Sequence, residues 1–170
     1  MLPILADYLN RLEVVHADMR RTLEGLPQEA LDWSPGPDIS SIAVLAAHTA
    51  GALRYWIGDV AGQAPSGRDR SAEFRTQDVD AAALIVRLDA ALDHSRSVLE
   101  RLALPDLEAT RISLRDGKEY TIAWALAHAL EHTAVHLGHM QITRQWWDHR
   151  ETPAPAARPP HTAGEGRSQA

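Results

Sequence analysis

Four histidines lie close together near the end of the chain: His128, His132, His136 and His139. At about 100° per residue, an α-helix places all four side chains within roughly a quarter of its circumference. Two imidazoles at positions i and i+4 can converge on one metal ion, because their side chains lie one above the other. The spacing therefore predicts a metal site on one helix face.

A helical histidine pair needs a ligand from a second helix to make a useful metal site. His48 is the candidate, because it lies in the middle of the apolar run Ile42–Leu53. The residues around it are mostly Ala and Gly, which let two helices approach closely. A buried imidazole without a partner is costly, so His48 requires a metal ion or a hydrogen bond.

One motif in this region matches a zinc protease pattern. The segment His128-Ala-Leu-Glu131-His132 fits the H-x-x-E-H pattern of inverted zinc proteases. Those enzymes are much larger and take a further carboxylate ligand from a distant helix. The H-E-x-x-H pattern is absent as well, because Thr133 follows His132. A peptidase is not expected, and His132 and His136 form the better metal-binding pair.

Three residues beside that pair are candidates for the pocket or for the support of the ligands: His128, Glu131 and His139. Glu131 lies to one side of the histidine face, where a carboxylate could orient a ligand imidazole or act as a base. An exposed glutamate without such a role is the alternative.

Two further candidates, His16 and Tyr55, lie on other helices. Both are possible pocket walls, and core packing with a satisfied hydrogen bond is the alternative for each. The remaining histidines lie outside the pattern. His94 and His149 are expected at the surface, and His161 lies near the end of the chain.

Apolar residues recur at alternating intervals of three and four, which predicts helices with one buried face each. Four such helices are expected over about residues 4–23, 43–60, 78–104 and 121–147. Thr121 is a plausible cap for the fourth helix, and Asp38, Ser40 or Ser41 for the second. The pattern is typical of an all-α four-helix bundle with longer connections.

The segments between these helices carry turn signals. Residues 27–41 contain Trp-Ser-Pro-Gly-Pro and are predicted to form a loop, as is the connection 61–76. Residues 111–120 alternate apolar and polar side chains around Asp116-Gly117, which indicates a small hairpin or an extended turn.

The chain is expected to form one domain and a tail. Residues 1–150 hold the predicted bundle, and residues 151–170 are rich in Pro and Ala and are predicted to be disordered. The three connections are not all tight, so the order of the helices around the bundle is left open.

Composition excludes several classes of function. The 170 residues include 17 Lys and Arg against 23 Asp and Glu, a net charge of −6, which argues against a nucleic-acid module. With no cysteine, the chain can hold no disulfide, thiolate metal site or catalytic thiol. Neither a signal peptide nor an apolar run of membrane-spanning length is visible. We expect a soluble, cytoplasmic domain.

Two blocks of sequence resemble the DinB superfamily, including its YfiT-like and mycothiol-dependent isomerase branches. The first block is residues 41–56 around His48, and the second is residues 128–139, similar to the family's H-x-x-x-H-x-G-Q block. The resemblance implies a four-helix bundle that holds a divalent metal ion through His48, His132 and His136. His139 stands where the family usually has glutamine.

The resemblance also implies a reaction class, because family members include transferases and an isomerase that use low-molecular-weight thiols. An open three-histidine site can bind a thiol and deprotonate it. Since the chain has no cysteine, the sulfur nucleophile would arrive on a cosubstrate. Imidazole ligands suit several divalent ions, of which zinc is the first choice and nickel the second.

A non-catalytic metal-binding or interaction module is the alternative function. It predicts a closed site with a fourth ligand from His128, His139 or His16. A homodimer is also possible, with Trp56, Trp146 and Trp147 at the interface; a hydrophobic cap on the core is the other interpretation of these tryptophans.

Overall fold

Four long helices form the body of the molecule, as the sequence predicts. They are α1 (Pro3–Leu23), α3 (Ile42–Leu53), α5 (Ala81–Leu99) and α6 (Ile122–His149). The computed structural model describes residues 1–150, and the predicted tail at 151–170 lies outside the described residues. The prediction of an all-α bundle is confirmed.

Shorter elements connect the long helices. Two short helices, α2 (Gln28–Asp32) and α4 (Arg70–Glu73), lie in segments that the sequence predicts as loops. The loop prediction is wrong there, because α2 buries Ala30 and Leu31 and the Asp69 side chain caps α4. The chain continues from α3 as a π-helical segment, Arg54–Ala61, and passes through a 3₁₀ turn, Leu104–Glu108, before the hairpin.

Side-chain caps fix where three of the long helices begin. Ser41, Asp80 and Thr121 each accept a hydrogen bond from the backbone amide three residues further on. Ser41 and Thr121 are among the predicted caps. The third helix ends at Leu99, earlier than predicted, and Pro105 lies in the first turn of the 3₁₀ segment that follows.

A two-stranded antiparallel hairpin precedes α6. Strand β1 (Thr110–Ile112) pairs with β2 (Glu119–Thr121), with Arg111 opposite Tyr120. Gly117 in the turn has a φ of 69°, a conformation that glycine adopts without the strain caused by a Cβ. The predicted hairpin is confirmed.

Of the consecutive pairs of long helices, only α3 and α5 pack side by side. Helix α3 packs against α5 and α6, and α1 packs against the same two helices. Consecutive helices α1 and α3 therefore lie diagonally across the bundle, as do α5 and α6. The arrangement places α3 directly against α6, although the hairpin and all of α5 separate them in sequence.

The three tryptophans considered for a dimer interface differ in exposure. Trp56 is 2% exposed and belongs to the core, so its assignment to an interface is wrong. Trp146 is exposed, and Trp147 packs edge-on against Trp33 with ring centroids 5.8 Å apart. Among the described residues, no helix combines the length and apolar character needed to cross a membrane.

Candidate metal centre

Helices α3 and α6 bring three imidazoles to one point. His132 Nε2 lies 3.2 Å from His48 Nε2 and 3.1 Å from His136 Nε2. One ligand nitrogen from each residue lies within 4.8 Å of the other two. Within residues 1–150, this is the one group of three or more His, Asp or Glu side chains whose geometry could hold a metal ion.

These distances fit the coordination shell of a divalent ion. Zn–N bonds of about 2.0–2.1 Å place two nitrogens about 3.3 Å apart in a tetrahedral shell and about 3.0 Å apart in an octahedral one. The two Nε2–Nε2 distances fall between these values. These two distances therefore match the spacing of neighbouring ligand nitrogens around a divalent ion.

His48 lies in the middle of α3, within a run of buried and mostly small residues from Ala46 to Ala50. On α6, His132 and His136 lie one turn apart and point from the same face. The structure thus contains the predicted pairing of α3 with α6 at His48, His132 and His136.

A carboxylate orients the first imidazole. His48 Nδ1 lies 2.9 Å from Glu73 Oε2, so the Nδ1–H donates to Glu73 and the Nε2 lone pair faces the other two histidines. Arg68 holds the carboxylate from the other side, with Nε 2.6 Å from Oε1 and Nη2 2.7 Å from Oε2. This hydrogen-bonded group is the arrangement expected behind a metal-binding histidine.

Glu73 is negatively charged in this position. Burial opposes its ionisation, but the hydrogen bonds from Arg68 and His48 outweigh that effect and hold the pKa of the carboxyl below its ordinary value. The side chains of Arg68 and Glu73 are only 9% and 10% exposed. Little water competes with their bidentate ion pair.

Gly51 makes room for this carboxylate. A Cβ at Gly51 would overlap Glu73 Oε1 and would lie 2.6 Å from Glu73 Cδ. Glu73 and Arg68 are not recognisable in the sequence as site residues, because both lie in the connection 61–76 and follow no helical spacing. The one signal for them is a glycine three residues after His48 on an otherwise apolar helix.

Burial keeps the two α6 imidazoles neutral. It lowers the pKa of His132 to about 3 and that of His136 to about 4, and the neighbouring imidazoles add to both shifts. Neutral imidazoles have a free lone pair, which is the form that binds a metal ion.

His128 and His139 flank the group without joining it. The His128 ring stacks on Trp124, with centroids 4.9 Å apart, and lies 5.7 Å from the His132 ring. His139 is exposed, with its ring 5.6 Å from that of His136. The histidine face predicted on α6 is thus real, but only its two central members meet His48.

The other candidate residues lie in different surroundings. Glu131 is exposed, and the carboxylate at the imidazoles is Glu73 instead. Tyr55 is buried, and the Arg68 guanidinium carbon lies 5.6 Å from its ring centroid, so it lines the Arg68 side of the centre. His16 pairs with Asp89 at 3.0 Å between α1 and α5 and takes no part in the group.

The remaining histidines are placed as follows. His149 is exposed, as predicted. His94 is half-buried rather than fully exposed, and its Nε2 is buried near Gly58 of the π-helical segment. His161 lies outside the described residues.

Comparison with known proteins identifies the family. The family model described as mycothiol S-transferase matches residues 7–149. The chain belongs to the mycothiol S-transferase family. Membership in this family associates the chain with thiol transfer. The resemblance to DinB proteins seen in the sequence is confirmed.

Two solved structures share the fold of this mycothiol S-transferase family member. A conserved protein from Enterococcus faecalis is 19% identical, with a TM-score of 0.66, and the match covers 85% of this chain and 97% of that one. A DinB-like protein of Bacillus subtilis, YjoA, is 17% identical, with a TM-score of 0.64 and coverage of 86% and 95%. None of the curated proteins matches the chain.

Proposed function

We propose that this chain is a metal-dependent S-transferase that joins a low-molecular-weight thiol of the mycothiol class to a small electrophile. The observation that carries the proposal is the convergence of three imidazole nitrogens, in a chain of the mycothiol S-transferase family. His48, His132 and His136 would hold a divalent ion, with zinc the first choice and nickel the second. When bound, such an ion lowers the pKa of a coordinated thiol.

The chain's own residues position that chemistry. Glu73 and Arg68 keep the Nε2 lone pair of His48 directed at the centre. Tyr55 is buried and lines the Arg68 side of the centre. In the net reaction, the thiol gives up its proton, its sulfur bonds to the electrophilic carbon, and the leaving group departs with the electrons of the broken bond.

An open coordination position is essential to this proposal. The alternative, a structural metal site, needs a fourth protein ligand. His128, His139 and His16 are the histidines considered for that role, and none of them joins the group. The geometry thus favours a centre with a position free for a substrate.

The proposal is tested by measuring metal content and thiol transfer together. The wild type should contain about one ion per chain and should conjugate mycothiol to a chromogenic electrophile. A His48→Ala, His132→Ala double variant should lose both properties. His149→Ala is the matched control, because it removes an exposed histidine from the same helix and should change neither.

Two results would contradict the proposal in different ways. Equal metal content in the wild type and the double variant would reject the three-histidine centre. A wild type that binds metal but transfers neither mycothiol nor bacillithiol would favour the structural alternative.

A further inference from the structure

A second cleft lies between α3 and α5, and the proposed reaction does not use it. Its volume is about 530 Å³, within the range of small-molecule sites, and small residues of both helices, such as Ala50 and Ala90, form its walls. Three basic side chains reach it: Arg54, Arg87 and His94. Gly51, which also contacts Glu73, lines its edge.

None of these three basic side chains has an acidic partner among residues 1–150. Arg20, Arg68 and Arg96 each pair with a carboxylate, whereas Arg54, Arg87 and His94 form no ion pair. The carboxylate of Asp59, whose charge acts on His94, accepts two hydrogen bonds from Ser66 instead. In a chain of net charge −6, the cleft therefore holds two guanidinium groups without an ion pair, beside an imidazole.

Two nitrogens of this cluster are buried without a hydrogen-bond partner. They are Arg54 Nη1 and His94 Nε2. Buried polar groups are nearly always satisfied, and leaving one unsatisfied costs free energy. The guanidinium nitrogen is a donor in every state, and the imidazole nitrogen is a donor in one tautomer. Arg54 Nη1 therefore requires an acceptor, and His94 Nε2 requires one in the tautomer in which it carries the proton.

Gly58 brings these two nitrogens together. A Cβ at Gly58 would lie 2.8 Å from His94 Nε2 and 3.1 Å from Arg54 Nη1, so both nitrogens lie against the same point of the π-helical segment. Such π-helical turns occur frequently at functional sites. The absence of a side chain here leaves the two groups side by side at the cleft.

We propose that the α3–α5 cleft binds the oxyanion group, a carboxylate or a phosphate, of a small molecule. Arg54 and His94 would donate to the anion from within, Arg87 would approach it from the exposed side, and the small residues would contact the rest of the ligand. Hydrogen bonds between charged groups are the strong ones, and guanidinium groups match both kinds of oxyanion. The site is separate from the three-histidine group.

The test is a titration of the full chain at constant ionic strength, during which ¹H–¹⁵N NMR records the backbone amide signals. The probes are inorganic phosphate, benzoate and benzamide, the uncharged counterpart of benzoate. We expect saturable shifts at the amides of Gly58 and His94 with an anion and none with benzamide. A response to phosphate alone assigns a phosphate ligand, and a response to benzoate alone assigns a carboxylate.

Variants connect the binding to these residues. Arg54→Gln should weaken anion binding roughly tenfold or more, whereas Arg11→Gln, at an exposed arginine of α1, should leave it unchanged. Gly58→Ala should also weaken it, with Gly138→Ala, whose Cβ would meet nothing within 4 Å, as control. If Arg54→Gln does not fold, Arg87→Gln, at an exposed arginine, replaces it. We expect that variant to weaken anion binding severalfold.

Three outcomes would overturn the proposal: no saturable shift with either anion, shifts confined to His132 and His136, or equal affinity in all the arginine variants. In each case, Arg54 Nη1 and His94 Nε2 would form their hydrogen bonds with one another or with a water molecule.

Discussion

Glu73 determines which nitrogen of His48 faces the other two histidines. Its carboxylate accepts the Nδ1–H of His48, and its own position is fixed by two hydrogen bonds from Arg68. Without this acceptor, the imidazole could place its proton on Nε2, which would block that nitrogen as a ligand. One carboxylate behind the centre thus controls the form of one ligand.

Glu73→Gln should therefore weaken zinc binding by about 10–100-fold, because the amide is a poorer acceptor for the Nδ1–H. The measurement is a competition titration against a chromophoric chelator. Glu131→Gln is the matched control: this carboxylate lies beside the same histidines in sequence but is exposed, so affinity should stay unchanged. A larger loss in Glu131→Gln than in Glu73→Gln would contradict the assignment.

The buried imidazoles of α6 predict how the metal-free protein responds to acid. In the folded chain, the pKa is about 3 for His132 and about 4 for His136, against about 6.5 for an unfolded histidine. Between these values the unfolded chain binds more protons, so stability falls as pH drops below about 6.5. The urea midpoint of chelator-treated protein should be lower at pH 5 than at pH 7.

A His132→Gln, His136→Gln variant should lose less stability than the wild type when the pH falls from 7 to 5. Some loss should remain, because burial also lowers the pKa of His16, His94 and His128. An identical loss in the variant and the wild type would show that the two α6 imidazoles do not titrate as buried groups.

At the scale of elements, the helices supply the ligands and a connection supplies their support. The histidine spacing on α6 and the apolar run around His48 could be recognised in the sequence, because both follow from helix periodicity. Arg68 and Glu73 could not, since their meeting with His48 depends on how residues 61–76 fold back over α3. Local patterns do not encode such a contact, and the space that Gly51 leaves for Glu73 is visible only in the structure.

Arg144 of α6 joins the end of α1 to the bundle. Its Nη1 donates to the carbonyl oxygens of Arg21, Thr22 and Glu24 at distances of 2.8–3.1 Å. These carbonyls lie at the C-terminal end of α1, where a positive charge is favourable. Arg144→Met should lower the free energy of unfolding by about 1–2 kcal/mol.

Urea denaturation measures that loss of stability. The control is Gln145→Met, at the exposed neighbouring position, which should change the free energy of unfolding by about 0.5 kcal/mol or less. Equal stability of the two variants would mean that solvent satisfies the α1 carbonyls as well as Arg144 does.

For the whole molecule, helix order is the feature that makes the centre possible. Sequence periodicity predicts four helices but not which of them are neighbours, because packing order depends on contacts between distant residues. Here α1 and α3 are diagonal, which leaves α3 against α6. His48 and His132, 84 positions apart, can then share one ion.

An ion shared by α3 and α6 should stabilise the entire bundle, since the unfolded chain does not hold its three ligands in place. At a free zinc concentration 100 times Kd, the expected gain is about 2.7 kcal/mol, or a rise in Tm of about 5–11 °C for a chain of this size. A chelator should reverse it. The His48→Ala, His132→Ala variant should show no rise, and an equal rise there would place the stabilising ion elsewhere in the molecule.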